Sequence, residues 1–239
     1  MSLSDRMKAY EFDQDSTLKN NPHETYCVIR LDGKGFSKYT KKYFINPFDT
    51  CLRQLLIDCA LQLLEEIDNA KFIYTQSDEI SIIIPPLPPK ANFWFGGRAQ
   101  KIVSVAASLL TKSFNKLHQT DDEFIGNATF DARVFQLPTE IELVNYLRFR
   151  QKDSFRNYIN KIAQHKFGKK QILNIRAKEL ATKLYGENYE DNPNFQPIFA
   201  YGTFLNKEIE IVEKIIDIEF EKALSIVRPL YVNAAANQL

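Results

Sequence analysis

The stretch Phe72-Ile73-Tyr74-Thr75-Gln76-Ser77-Asp78-Glu79-Ile80-Ser81-Ile82-Ile83-Ile84 holds two runs of strand-forming residues divided by a polar corner. β-Branched and aromatic side chains suit a pleated, half-buried surface, and Ser-Asp-Glu is turn-forming chemistry. The stretch therefore predicts strands over 72–76 and 80–84 joined at 77–79. Pro85-Pro86-Leu87-Pro88-Pro89 follows at once, and because proline cannot donate to a ladder the sheet stops there.

Upstream, Cys27-Val28-Ile29-Arg30-Leu31-Asp32-Gly33 predicts a buried strand over 26–31 ending at an acidic residue. If the two strands are neighbours, Asp32 and Asp78 meet at one edge of a sheet. Two carboxylates suffice for Mg²⁺, which keeps several waters and accepts substrate phosphates as its remaining ligands. Gly33, lacking a side chain, lets its carbonyl and the following amides approach phosphate or metal. Asp32-Gly33-Lys34-Gly35-Phe36-Ser37 thus reads as a strand end running into a phosphate-contacting turn. Taken singly, each acidic corner is also an ordinary turn sequence.

Between these strands, Asn46-Pro47 resembles a helix cap and first-turn proline, and Leu52, Leu55, Leu56, Cys59, Leu63 and Ile67 recur at helical spacing. A second helix is predicted over 94–117 from Ile102, Val105, Ala106, Leu109, Leu110 and Phe114. A strand is predicted over 127–137, where Phe130, Ala132, Val134 and Gln136 alternate with Thr129, Asp131, Arg133 and Phe135. The order β-α-β-β-α-β is the α+β, ferredoxin-like arrangement, with an antiparallel sheet and its first and third strands adjacent. Thr139-x-x-Glu142 is a capping box opening a further helix. The C-terminal part is expected to be mostly helical, closing with a helix over 208–227 whose Ile211, Ile215, Ile218, Ala223 and Ile226 form a docking face.

The 239 residues are enough for one domain with an extension or two small ones, and we divide them as 1–138 and 139–239. No apolar run reaches the roughly 20 residues of a membrane span, and Met1-Ser2-Leu3-Ser4-Asp5-Arg6 has no signal-peptide core, so a cytoplasmic protein is expected. Three cysteines without a C-x-x-C pair, and three histidines, argue against structural zinc or a disulfide framework. The net charge of +1 hides an asymmetry: residues 148–183 carry eleven Lys and Arg against Asp153 and Glu179, a local excess of nine. Interleaved with Phe149, Phe155, Tyr158 and Phe167, this block suits a polyphosphate partner, where cations release counterions and rings stack on bases.

Five short motifs carry a resemblance to a known family: Arg30-Leu31-Asp32-Gly33 with Phe36, Gln76-Ser77-Asp78-Glu79-x-Ser81, Arg98-Ala99-x-Lys101, Phe130-Asp131-Ala132-Arg133-Val134 and Tyr146-Leu147-x-x-Arg150-Gln151-x-Asp153. In order and spacing, over roughly residues 5–205, they resemble the tRNA-histidine guanylyltransferases, reverse (3′-to-5′) polymerases with a polymerase-like palm. The resemblance implies a palm-like catalytic part over 1–138 and a mostly helical, basic RNA-binding and oligomerisation extension over 139–239. It implies that Asp32, Asp78 and the Gly33 carbonyl hold two Mg²⁺ ions, with Glu79 as a third catalytic carboxylate supporting them. Residues 32–37, Ser77 and Asp78 would line a nucleoside triphosphate, with Arg98 and Lys101 gripping its phosphates. RNA contacts are expected from Arg133, Arg150, Lys152, Arg156, Asn157 and Lys161, with a salt-bridged framework role as the alternative for Arg133 and Arg150. ATP and GTP are the implied substrates, tRNA the partner and a homotetramer the assembly.

The chain departs from the histidine-tRNA branch at Phe155-Arg156-Asn157-Tyr158, where that branch carries His-Ile-Asn-Asn, at Ala200-Tyr201 in place of Arg-Lys, and at Asn46 in place of lysine. These departures point to the like-protein branch, which restores missing 5′ nucleotides of tRNA using the opposite strand as template. Addition of G(−1) to histidine tRNA, a palm-type nucleotide cyclase and a catalytically idle RNA-binding protein are the alternatives.

Overall fold

The computed structural model describes residues 2–12, 18, 21–119 and 128–232. In chain order its elements are α1 (Leu3–Phe12), β1 (Tyr26–Gly33), α2 (Phe36–Tyr43), α3 (Thr50–Glu66), β2 (Phe72–Gln76), β3 (Glu79–Ile84), α4 (Ala99–Leu117), β4 (Phe130–Leu137) and α5 (Glu140–Phe167). They continue with α6 (Ala177–Tyr185), α7 (Pro197–Ala200), β5 (Thr203–Leu205), β6 (Glu210–Ile211), α8 (Phe220–Val227) and α9 (Pro229–Val232). The sheet runs β4-β1-β3-β2-β5-β6 and is antiparallel throughout. Its first four strands have the order expected of the βαββαβ reading.

Strand residues alternate between two buried faces. Cys27, Ile29, Leu31, Ile73, Ile80, Ile82 and Val134 pack with the apolar sides of α3 and α4. Val28, Phe72, Tyr74, Ile83, Phe135 and Leu137 pack with Leu143, Val144, Tyr146 and Leu147 of α5, Met7 of α1 and Ala223, Leu224 and Val227 of α8. The sheet is thus the middle layer of three, which is why β2 and β3 are buried at every position. Among the described residues no helix is long and apolar enough to cross a membrane.

Several boundaries differ from the sequence expectations. The helix assigned to Asn46-Pro47 starts at Thr50, where Asp49 Oδ1 accepts from the amides of Cys51 at 2.7 Å and Leu52 at 3.3 Å. A helix not expected, α2, follows Gly35, anchored by buried Phe36 although most of its remaining side chains are polar. The helix placed over 94–117 begins at Ala99, because Phe95, Gly96 and Gly97 have positive φ and close a separate 3₁₀ turn. Asn127, the first residue of the expected fourth strand, lies outside the described residues.

The largest correction is at the C-terminus. Residues 203–211 form a hairpin, with Asn206 Oδ1 accepting from the amides of Glu208 and Ile209, and β5 pairs with β2. Only residues 220–227 of the expected helix are helical. Its supposed docking face is used internally: Ile215 and Ala223 are buried, and Ile211, Ile218 and Ile226 pack on the same cluster. The sheet therefore continues across the proposed division at residue 138.

Candidate active site

Asp78 sits in the two-residue turn between β2 and β3, with Gln76 paired to Glu79 across it. Ser77 has φ 52°, and its hydroxyl donates to Asp78 Oδ1 at 3.0 Å. On the neighbouring strand, Asp32 stands opposite Glu79 on one side and Asp131 on the other. Gly33 joins the two corners: a Cβ built there would lie 2.8 Å from Asp78 Oδ2 and 2.3 Å from Phe36 Cδ2. Only glycine leaves room for the Asp78 carboxylate at that spot.

The electrostatics are those of under-neutralised carboxylates. Burial, then the charges of Asp78 and Glu79, push Asp32 up to about 6, against the pull of Arg30, and Asp131 adds to the rise. Burial also raises Asp78, opposed by the Ser77 hydroxyl and by Lys161. A cation relieves both strains at once. The donor set fits Mg²⁺: two carboxylates beside a side-chain-free backbone, leaving positions for water and phosphate. Among the described residues no group of three or more His, Cys, Asp or Glu side chains makes a closed metal cage.

The other expected residues divide. Lys34 is exposed and its amide donates to the Thr129 carbonyl at 2.9 Å, and exposed Gly35 caps α2 in the left-handed region. Ser37 and Ser77 are exposed beside the cavities described below. The Phe36 ring is part of the core, 3% exposed and packed on Phe114, Phe130 and Tyr39, which leaves its backbone as the part that faces the turn. Glu79 is not a free catalytic carboxylate, because Arg150 donates to both its oxygens, Nε to Oε1 at 2.7 Å and Nη2 to Oε2 at 2.5 Å. By the same bond Arg150 is framework and not an RNA contact: it is 7% exposed, and a buried fork already filled by carboxylate has no place for phosphate.

Arg98 and Lys101 are not brought to the carboxylates. Arg98 Nε donates to the Phe95 carbonyl at 3.1 Å and Lys101 lies over the Phe95 ring at 4.6 Å. The opposite end of α4 is the one beside Gly33, where Phe114 packs on Phe36. At about 1.5 Å rise per residue, Lys101 stands roughly 20 Å away along the helix. Arg133 is half-buried in β4 opposite Arg30. Lys152 is exposed, and exposed Arg156 pairs with Asp153 at 2.7 Å.

Lys161 is placed more centrally than the sequence indicated. It lines, with Ser77 and Asp78, a cavity of about 50 Å³ walled by Phe44, Phe48, Leu52, Leu56 and Phe199. Its ammonium lies 4.8 Å from the centre of the Phe48 ring. Burial holds that ammonium below the ordinary lysine range, and Asp78 opposes the shift. Thr40, Asn46, Pro47 and Lys161 also border an adjoining groove of about 710 Å³ between α2 and α5, lined further by Ser37, Lys41, Asn157, Asn160, Gln164 and His165. None of its lining residues is acidic. Sequence reading missed the approach of α5 to Asp78, since only the packing of α5 across the sheet brings residue 161 beside residue 78. The aromatic Phe48, directly after the Asn46-Pro47 pair, was the available local signal.

Comparison with known proteins agrees with this geometry. A probable tRNA(His) guanylyltransferase of Homo sapiens is 32% identical over 147 residues, covering 60% of this chain and 47% of that one, so the chain spans about half the length of that relative. A solved bacterial tRNA(His) guanylyltransferase (Thg1)-like protein in complex with ATP superposes with a TM-score of 0.73 at 31% identity, covering 95% of this chain and 96% of that one. Another, in complex with GTP, gives 0.69 at 29% identity, covering 97% and 100%. The profile of the tRNAHis guanylyltransferase (Thg1) family matches residues 4–138, and the chain belongs to that family of nucleotidyltransferases.

Proposed function

We propose that this chain is a template-directed 3′-to-5′ nucleotidyltransferase that repairs the 5′ ends of tRNA, using ATP or GTP for activation. The observation that carries this reading is the meeting of Asp32 and Asp78 at Gly33, beside a groove lined by cations, amides and hydroxyls. The ATP and GTP complexes of the similar bacterial structures support the choice of nucleotides. The repair branch is favoured by what replaces the residues of the histidine-tRNA branch. Phe155 stacks on Tyr201 at 6.1 Å between centroids, and Tyr158 and Ala200 are buried in the same cluster. Where that branch carries polar and basic side chains, this chain has an aromatic core.

Asp32 and Asp78, with the Gly33 carbonyl, would hold two Mg²⁺ ions, which when bound acidify an attacking hydroxyl and neutralise leaving pyrophosphate. Lys161 supplies a positive charge at the mouth of the groove, and Ser37, Thr40, Asn157 and Asn160 offer hydrogen bonds along it. The apolar wall of Phe48, Leu52 and Phe199 excludes water on the other side. No protein nucleophile is required. In the first step an oxygen of the RNA 5′-monophosphate attacks the α-phosphorus of ATP and pyrophosphate leaves. In the second, the 3′-hydroxyl of the incoming nucleotide attacks that 5′-phosphorus, AMP leaves, and the new phosphodiester lengthens the RNA at its 5′ end. This reading places catalysis in residues 1–138, tRNA holding and assembly in 139–239, and the enzyme in the cytoplasm as a homotetramer.

The test is incorporation of labelled GTP, with Mg²⁺ and ATP, onto a 5′-monophosphorylated tRNA lacking its first nucleotide and onto full-length histidine tRNA. Preferential filling of the truncated end opposite its pairing base, abolished by Asp78→Ala, is the expected result. Preference for full-length histidine tRNA overturns the repair reading in favour of G(−1) addition. Incorporation on neither RNA overturns both and leaves a nucleotide cyclase to be assayed.

A further inference from the structure

The turn that presents Asp78 does not hold itself. Ser77 occupies the left-handed region at φ 52°, a conformation that costs a residue with a side chain and that glycine or asparagine would adopt more readily. The turn is instead gripped from its next residue. Glu79 is 5% exposed, and both its carboxylate oxygens accept from the Arg150 guanidinium, at 2.7 and 2.5 Å. The Thr75 hydroxyl donates to the Glu79 carbonyl at 3.1 Å, closing the turn from the other strand.

Arg150 is a firm anchor because α5 is locked at that point to the segments flanking the β5–β6 hairpin. The adjacent Gln151 is fully buried; its amide donates to the carbonyls of Tyr201 at 3.0 Å and Glu213 at 2.8 Å. Its oxygen accepts from the amides of Ile215 at 2.7 Å and Ile216 at 3.1 Å. On its other side Arg150 meets Asp153 at 3.4 Å, and Asp153 meets Arg156 at 2.7 Å on the exposed face. A bidentate fork fixes both position and rotation of a carboxylate, which a single point charge does not.

We propose that Arg150 is a positioning residue for Asp78: through the Glu79 carboxylate it holds the Ser77-Asp78 turn so that Asp78 stays against Gly33. Glu79 serves this grip with both of its oxygens. The proposal rests on the reading of Asp32 and Asp78 as the cation-binding pair, and extends it to the device that sets their spacing.

The experiment uses the full chain with Arg150→Met, Arg150→Lys and Glu79→Gln, each first checked by thermal unfolding. Mn²⁺ binding is titrated calorimetrically with GTP present, amide exchange is followed over residues 77–80, and affinity for a tRNA is measured across a salt series. Losing an outer partner of a metal ligand costs roughly 10- to 100-fold in metal affinity, so Arg150→Met and Glu79→Gln are each expected to weaken Mn²⁺ binding by at least about tenfold. Exchange over the turn should quicken, while tRNA affinity stays within about twofold and its salt slope is unchanged. Arg150→Lys, which keeps the charge and loses the fork, should fall between, and the double variant should be no worse than the worse single one. Wild-type Mn²⁺ affinity and turn exchange in folded Arg150→Lys and Glu79→Gln overturn the proposal, even if Arg150→Met fails to fold. Weakened tRNA binding with a shallower salt slope and unchanged Mn²⁺ affinity also overturns it and makes Arg150 a phosphate contact. Absence of nucleotide transfer by the wild type would refute the proposed function alone, because metal binding and exchange are read without turnover.

Discussion

Gly33→Ala adds one methyl group at the point where the two acidic corners meet. The new carbon would lie 2.3 Å from Phe36 Cδ2, 2.6 Å from Phe36 Cγ and 2.8 Å from Asp78 Oδ2. An ordinary carbon contact needs about 3.5 Å, so either Phe36 or the strand end must move by about 1 Å. Phe36 has no free direction, being packed on Tyr39, Phe130 and Phe114 at centroid distances of 5.1, 5.2 and 5.5 Å. Overpacking of this kind costs roughly 1–3 kcal/mol. At roughly 2–4 °C per kcal/mol for a chain of this size, Tm should fall by about 2–12 °C. The catalytic loss should be larger, because displacing a reacting group by about 1 Å costs on the order of 100-fold. Thermal unfolding and nucleotide incorporation at a temperature well below both midpoints measure the two effects. Gly186→Ala is the control: its φ is +96° and ψ 176°, with nothing within 4 Å of the added carbon, so it carries backbone strain of about 1–3 kcal/mol without crowding the site. It should lower Tm and leave incorporation unchanged. A Gly33→Ala protein with wild-type Tm and wild-type incorporation would refute the close approach of Gly33, Phe36 and Asp78.

Two further outcomes follow from buried groups. Because the folded protein raises Asp32 from 3.8 to about 6, it binds that proton more tightly than the unfolded chain, so the associated stability is fully present below about pH 4 and is lost as pH rises through 6. In metal-free protein the Tm advantage of Asp32→Asn over wild type should therefore grow between pH 4 and 6 and level off above it, and a difference independent of pH would contradict the assigned burial and repulsion. Gln151→Leu leaves two carbonyls and two amides without their partner, at about 1–3 kcal/mol for each that stays dry; chemical denaturation should show a loss of at least about 3 kcal/mol, and a loss under 1 kcal/mol would mean that water reaches all four.

Much of the site was legible along the chain because its carriers are local. Continuous runs of apolar and β-branched residues mark β1 and β3, alternation at period two marks β4, the proline run ends β3, and an aspartate at the end of one strand and in the turn before another is visible without any tertiary knowledge. Motif order added the family, and the βαββαβ order placed β1 beside β3, which is sufficient to bring Asp32 toward Asp78.

What only the tertiary structure decided are the partners of charged side chains and the membership of the sheet's edge. Arg150 reads as one more cation in a basic block, since nothing in local sequence distinguishes a guanidinium that will face solvent from one that a neighbouring strand's glutamate will bury. Lys161 reads the same way, and it becomes a neighbour of Asp78 only through the path of α5 across the sheet. Arg98 and Lys101 share a helix end, but the direction of α4 puts the other end at the carboxylates. The segment Glu208-Ile209-Glu210-Ile211 satisfies both a strand pattern and, with Ile215, a helical one. The free hydrogen-bonding edge of β2, filled by β5, resolves that ambiguity, because unpaired backbone groups at a buried edge cost more than local helix propensity returns.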